Sequence, residues 1–229
     1  MPSDLKRFKI TYSLIGLNLL FYAIEILYTG SIIDIPIQGL VELGAIYGPQ
    51  VVIGGEWWRL LTAMFLHGGV THLLMNMFSL YIIGRPMELY FSPKNYLSIY
   101  VLTGLIGSLV SISIHPATVG IGASGAIFGV FGALSGYFFA YRRELGQHAH
   151  QFMKNFAIII GLNLLLGFSI PNIDVSAHAG GLISGLIAGL IVARHPKRLW
   201  VFAVGILLVA IGFYLYLPTL YVQTNTLLY

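Results

Sequence analysis

Gly122-Ala123-Ser124-Gly125-Ala126-Ile127-Phe128-Gly129 decides how this chain is read, because it sets a single hydroxyl among glycines where a long apolar run begins. A second such point is Ala177-His178-Ala179-Gly180-Gly181, where an imidazole opens another apolar run. If both runs are membrane helices, the two polar groups lie at similar depth and can face each other as a nucleophile and its base. Serine in an apolar helix also bonds back to its own backbone or packs as a small residue. The motif alone leaves both readings open.

Composition narrows the class. With 57% hydrophobic and 9% charged residues in 229, the chain cannot form an ordinary water-facing surface, and an all-α polytopic membrane protein is expected. The absence of cysteine excludes disulfides, thiolate metal sites and a cysteine nucleophile. A net charge of +4 would suit nucleic acid, but the basic residues sit in short clusters between apolar runs, which marks loops and gives no nucleic-acid partner.

The run from Ile10 to Tyr28 is too long for a signal-peptide core and lacks a small-x-small cleavage site, so it is predicted to be an uncleaved first span behind Lys6, Arg7 and Lys9. Further spans are expected at about 69–84, 96–114, 123–141, 153–170, 175–193 and 199–217. The second is short and interrupted by His72 and Asn76, with Leu60 to Leu66 available to extend it. If the amino terminus is cytoplasmic, that side holds all of the 12 Lys and Arg residues except Arg59, while Asp34, Glu42, Glu56 and Asp174 fall on the other. The positive-inside rule therefore puts the amino terminus in, the carboxyl terminus out, and both Ser124 and His178 near the outer face. The connector between spans one and two ends in Glu56-Trp57-Trp58-Arg59, which reads either as a segment resting in the outer leaflet or as an ordinary aromatic belt.

His72 and Asn76 are four apart and share a helix face. They serve either as interhelical glue or as donors to an oxyanion formed in acyl transfer, joined by the backbone N–H of Ser124 at a helix start. Gly125, Gly129, Gly132 and Gly136 trace a stripe beside Ser124, and Gly181, Gly185 and Gly189 trace one beside His178. Such stripes let two backbones approach closely, as a short hydroxyl reaching an imidazole requires. No His-Glu-x-x-His occurs, the aspartates lie outside the spans, and Glu25 stands alone in the first, so neither a zinc protease nor an aspartyl pair is expected. No carboxylate is evident to orient His178, which leaves a Ser-His dyad without a third member. No metal or cofactor is expected.

These pieces resemble the rhomboid intramembrane serine proteases: Trp58-Arg59, His72-x-x-x-Asn76, Gly122-Ala123-Ser124-Gly125 and Ala177-His178-Ala179-Gly180 occur in that family's order. The resemblance implies a six-helix core over 10–194 with a water-filled cavity open to the outer face. A cytoplasmic amino terminus of residues 1–9 precedes the core. Residues 195–229 follow as a seventh helix and an external tail, similar to the longer bacterial form. It implies Ser124 as nucleophile, His178 as base and then acid, and His72, Asn76 and the Ser124 N–H as the oxyanion hole. Phe128 stands where the family often has tyrosine and can stack on His178, with Gly125, Gly129, Gly181 and Gly185 packing the two helices. The implied substrates are transmembrane helices in a bacterial or archaeal plasma membrane, cleaved near its outer face. A catalytically silent relative that binds membrane helices is the alternative, against which the retained Ser124 and His178 count.

Overall fold

A computed structural model describes the backbone of residues 4–169 and 173–226, with side chains described for 4–162 and 173–221. The expected end of the fifth span at Ile170 and the tail residues 227–229 lie outside the described residues. Among the described residues, seven long helices carry the chain: α1 (Lys9–Thr29), α2 (Val70–Tyr90), α3 (Pro93–Ile114), α4 (Ser124–Ala140), α5 (Gln147–Ser169), α6 (Val175–Val192) and α7 (Leu199–Thr226). α1, α3, α6 and the stretch Pro196–Tyr221 are each long and apolar enough to cross a membrane, and α4 is a shorter apolar helix. α2 has 21 residues, roughly 31 Å at 1.5 Å per residue, so its polar residues and not its length set it apart.

Two boundaries differ from expectation. α2 does not extend back to Leu60: Arg59–Thr62 and Ala63–Phe65 form separate short turns before it. It runs forward past the apolar stretch to Tyr90, because the charges there find partners. Glu88 accepts hydrogen bonds from the backbone N–H groups of Ile10 (3.1 Å) and Thr11 (2.8 Å) and from the Thr11 hydroxyl (2.7 Å). It thereby satisfies amides at the start of α1 that no side chain of the flanking Phe8 can cap. The last span also continues well beyond residue 217, so most of the expected tail is helix.

The other helix ends follow from local chemistry. α1 stops at Gly30, which adopts a left-handed φ of 71° and returns its N–H to Ile26 at 2.8 Å. α3 starts on Ser92-Pro93, with the serine hydroxyl accepting from the Asn95 N–H and proline in the first turn. The connector from α1 to α2 contains short helices Ile37–Glu42 and Gly48–Val52 and the strand β1 (Ile46–Tyr47). β1 pairs antiparallel with β2 (Val119–Gly120), register Ile46↔Gly120 and Tyr47↔Val119. Arg59, 5% exposed, ties this connector together by donating to Glu56 (2.6 Å), to the Val41 carbonyl (2.5 Å) and to the Ala45 carbonyl (3.1 Å). Trp58 is exposed beside it, with the guanidinium over its ring.

Contacts between loops gather the basic segments at one end of the bundle. Asp4 pairs with Arg85, Asn95 donates to the Pro196 carbonyl, and Arg194 reaches both the Ala140 carbonyl and Glu144. At the centre, α4 lies against α6 through glycine. A Cβ on Gly181, Gly185 or Gly189 would overlap the carbonyl oxygen of Gly125, Gly129 or Ala133 respectively. A Cβ on Gly132 or Gly136 would run into the α6 backbone at Leu182 to Leu190. The expected stripe on α4 in fact serves two neighbours, since Gly129 abuts the Thr103 side chain of α3 and Gly125 lies near Gly107 of α3 as well as Ala177.

Candidate active site

The glycine contact between α4 and α6 brings their first turns together. Ser124 is the first residue of α4 and His178 lies in the first turn of α6, and the Ser124 Oγ stands 2.8 Å from His178 Nε2. Both residues are half-buried. In the tautomer that carries its proton on Nδ1, the imidazole accepts the serine proton, which is the starting arrangement for general-base activation of a hydroxyl. The Phe128 ring, one turn along α4, lies parallel to the imidazole with centroids 4.2 Å apart and an interplanar angle of 8°, which fixes the ring plane.

His72 and Asn76 reach this point from α2. Gly122, with φ 111°, makes the turn from β2 into α4 and holds its place through an N–H to the Ala63 carbonyl at 2.8 Å. A Cβ on Gly122 would lie 2.8 Å from His72 Nε2 and 3.7 Å from Asn76 Nδ2. Both side chains therefore stand over the backbone two residues before Ser124, and only glycine leaves room for them. The Asn76 amide spends one hydrogen on the His72 carbonyl at 3.1 Å, leaving the other for a ligand. α4 itself begins without a side-chain cap, Ala123 being the flanking residue, so its first amides remain available. A hydroxyl, an imidazole and several neutral donors thus converge at the positive end of a helix, the electrostatics that a developing oxyanion favours. Among the described residues no three His, Asp or Glu side chains gather as a metal site.

Comparison with known proteins agrees with this architecture. Residues 54–195 match the family model of the Rhomboid domain. The chain is 36% identical over 210 residues to Rhomboid protease GluP of Bacillus subtilis (strain 168), covering 90% of this chain and 40% of that protein. It is 37% identical over 165 residues to RHOMBOID-like protein 6, mitochondrial, of Arabidopsis thaliana, covering 70% of this chain and 52% of that one. RHOMBOID-like protein 5 of the same plant is 37% identical over 163 residues, with 70% and 52% covered. This chain belongs to the rhomboid family and is an integral membrane protein of all-α polytopic fold. It spans about half, or less, of the length of these relatives.

One polar group near the site was read from sequence only as an outer-loop charge. Asp174 immediately precedes α6 and accepts from the Ala177 N–H at 3.0 Å and from the Ser176 hydroxyl. An aspartate three residues before the first amide it caps is a recognisable helix-start signal.

Proposed function

We propose that this protein is an intramembrane serine endopeptidase that cleaves transmembrane segments of other proteins. The observation that carries the reading is the 2.8 Å contact between Ser124 Oγ and His178 Nε2, joined by the first turns of two helices in a rhomboid fold. Relatives named as rhomboid proteases support it.

In this reading Ser124 attacks the scissile carbonyl as its proton passes to His178 Nε2. The carbonyl electron pair moves onto oxygen, facing His72, Asn76 and the uncapped amides of α4. His178 returns the proton to the departing amide nitrogen as the C–N bond breaks, leaving an acyl-enzyme on Ser124. Water then repeats the sequence and releases the acid, so no metal or cofactor enters. Substrates whose helices open readily near the cut, with small or helix-breaking residues there, should be favoured because an intact helix hides its amides. By the distribution of Lys and Arg, the basic end of the bundle faces the cytoplasm and cleavage falls near the outer surface.

Wild type, Ser124→Ala and His178→Ala, reconstituted in vesicles with a single-span reporter bearing Ala, Gly and Ser near one end, test the reading. Cleavage by wild type and none by either variant is expected, with all three proteins folded. Undiminished cleavage by Ser124→Ala would refute it.

A further inference from the structure

Glu25 is a carboxylate inside an apolar span, a placement that membrane helices rarely carry without a function, and the dyad chemistry leaves it unused. It lies near the end of α1, is fully buried, and accepts a hydrogen bond from the backbone N–H of His67, 3.1 Å from Oε1 and 3.3 Å from Oε2. Phe21, one turn earlier on α1, packs its ring on Phe65 with centroids 5.3 Å apart. His67 is fully buried as well, and its Nδ1 donates to the Phe65 carbonyl at 3.1 Å, which sets the tautomer of the neutral ring and holds its plane. The ring then meets that of His72 edge to face, with centroids 5.1 Å apart and planes at 63°. Between these residues and α2 the backbone is pinned twice more, by the Ile35 N–H on the Gly68 carbonyl at 3.0 Å and by the Val70 N–H on the Ile33 carbonyl at 3.0 Å. His72 follows in the first turn of α2.

We infer, on the basis of the protease reading above, that Glu25 and His67 are positioning residues for His72: the carboxylate holds the His67 backbone, and the His67 ring holds the imidazole that faces the oxyanion. His67 stands before α2, outside any helix, so its buried N–H has no helical partner and needs another acceptor. Glu25 supplies it from a different helix. An apolar residue in its place would leave that amide bare and free the lead into α2 to move toward one that could satisfy it. On its other side His72 is bounded by the turn before Ser124, where a Cβ on Gly122 would lie 2.8 Å from both Cε1 and Nε2 of the imidazole. His72 is thus held between the His67 ring and the Gly122 backbone. A donor to an oxyanion acts only from a fixed place, which is what this bracing provides. Neither Glu25 nor His67 needs to touch the reacting atoms for the effect.

The test is a double-mutant cycle read as kcat and KM on the single-span reporter, with the full chain in vesicles. Glu25→Leu, Glu25→Gln and His67→Phe are each made alone and combined with His72→Ala, beside Ser124→Ala. Glu25→Leu should lower kcat about tenfold, because a donor displaced by a fraction of an ångström stabilises the transition state less, and should leave KM within about twofold. Glu25→Gln keeps a carbonyl oxygen to accept the His67 N–H and should recover most of the loss. His67→Phe keeps a buried ring and loses the Nδ1 bond, so kcat should fall about threefold; it carries the comparison if Glu25→Leu is not recovered folded. Once His72 is alanine there is nothing left to position, and adding either substitution should change the remaining rate by less than about twofold. Equal fold losses with and without His72, or wild-type kcat in both Glu25→Leu and His67→Phe, would overturn the inference, as would full activity of His72→Ala. Cleavage by Ser124→Ala at the wild-type rate would instead overturn the protease reading on which it rests.

Discussion

The seam between α4 and α6 and the attachment of α7 are two different ways of holding a helix in a membrane protein. Along the seam, backbone meets backbone, with Gly181, Gly185 and Gly189 each seated on a carbonyl oxygen of α4. α7 instead leaves Trp200, Leu208, Leu215 and Tyr216 exposed to its surroundings and touches the core through a narrow stripe that includes Phe202, Ile206, Leu217 and Tyr221. At its outer end the Tyr221 hydroxyl lies 2.9 Å from the Ile112 carbonyl and 3.2 Å from that of Pro116, and a Cβ on Gly48 would overlap it. Lipid tails are as apolar as leucine, so burying apolar side chains gives helices little reason to associate. Close dispersion contact and Cα–H to carbonyl contacts do, and they act only where side chains are absent. The difference teaches that geometry demanding sub-ångström constancy is placed on glycine contacts, whereas a helix that only needs to stay attached can use a few side chains.

The largest effect should come from breaking the seam. Gly185→Val places a branched side chain into the Gly129 carbonyl, forcing the helices apart and separating Ser124 from His178. A displacement near 1 Å can cost about a hundredfold in rate, so cleavage and fluorophosphonate labelling should fall together by that factor or more. Labelling at the wild-type rate would mean that the seam does not assemble the pair. A smaller loss is expected from Phe128→Ala, which leaves the backbones in place and removes the ring stacked on His178. Aromatic pairs of this kind are worth about 0.5–1.5 kcal/mol, so labelling should slow by roughly two- to tenfold. No change at all would show that the seam orients the imidazole without help.

The smallest effect should be at α7. Tyr221→Phe keeps the packed ring and loses one hydroxyl, costing about 1 kcal/mol of stability and lowering the melting temperature by about 2–4 °C, with cleavage within about twofold of wild type. If this variant lost activity as Gly185→Val is expected to, the outer end of α7 would rank with the seam as part of the site's frame.

Much of this was legible from the chain because membrane helices report on themselves locally. Apolar runs marked the seven long helices, and glycines at helical spacing marked the faces where backbones approach. The ends of the runs holding Ser124 and His178 meet in the structure. What escaped depends on partners distant in sequence. α2 continues through Arg85 and Glu88 because Asp4 and Thr11 receive those charges, which hydropathy does not register. The two-residue strands exist only through pairing with each other. Gly122 is one of many glycines until His72 and Asn76 are seen to occupy the space of its missing side chain. Asp174 shows its cap in sequence, whereas the seventh helix gives no sign that Tyr221 is the residue fastening its outer end.

The most direct measurement is to locate the fluorophosphonate adduct by peptide mass spectrometry after labelling wild type and His178→Ala in vesicles. The account predicts one adduct on the Ser124 oxygen in wild type and almost none in His178→Ala. An adduct on another residue, or equal labelling of Ser124 without the imidazole, would contradict it.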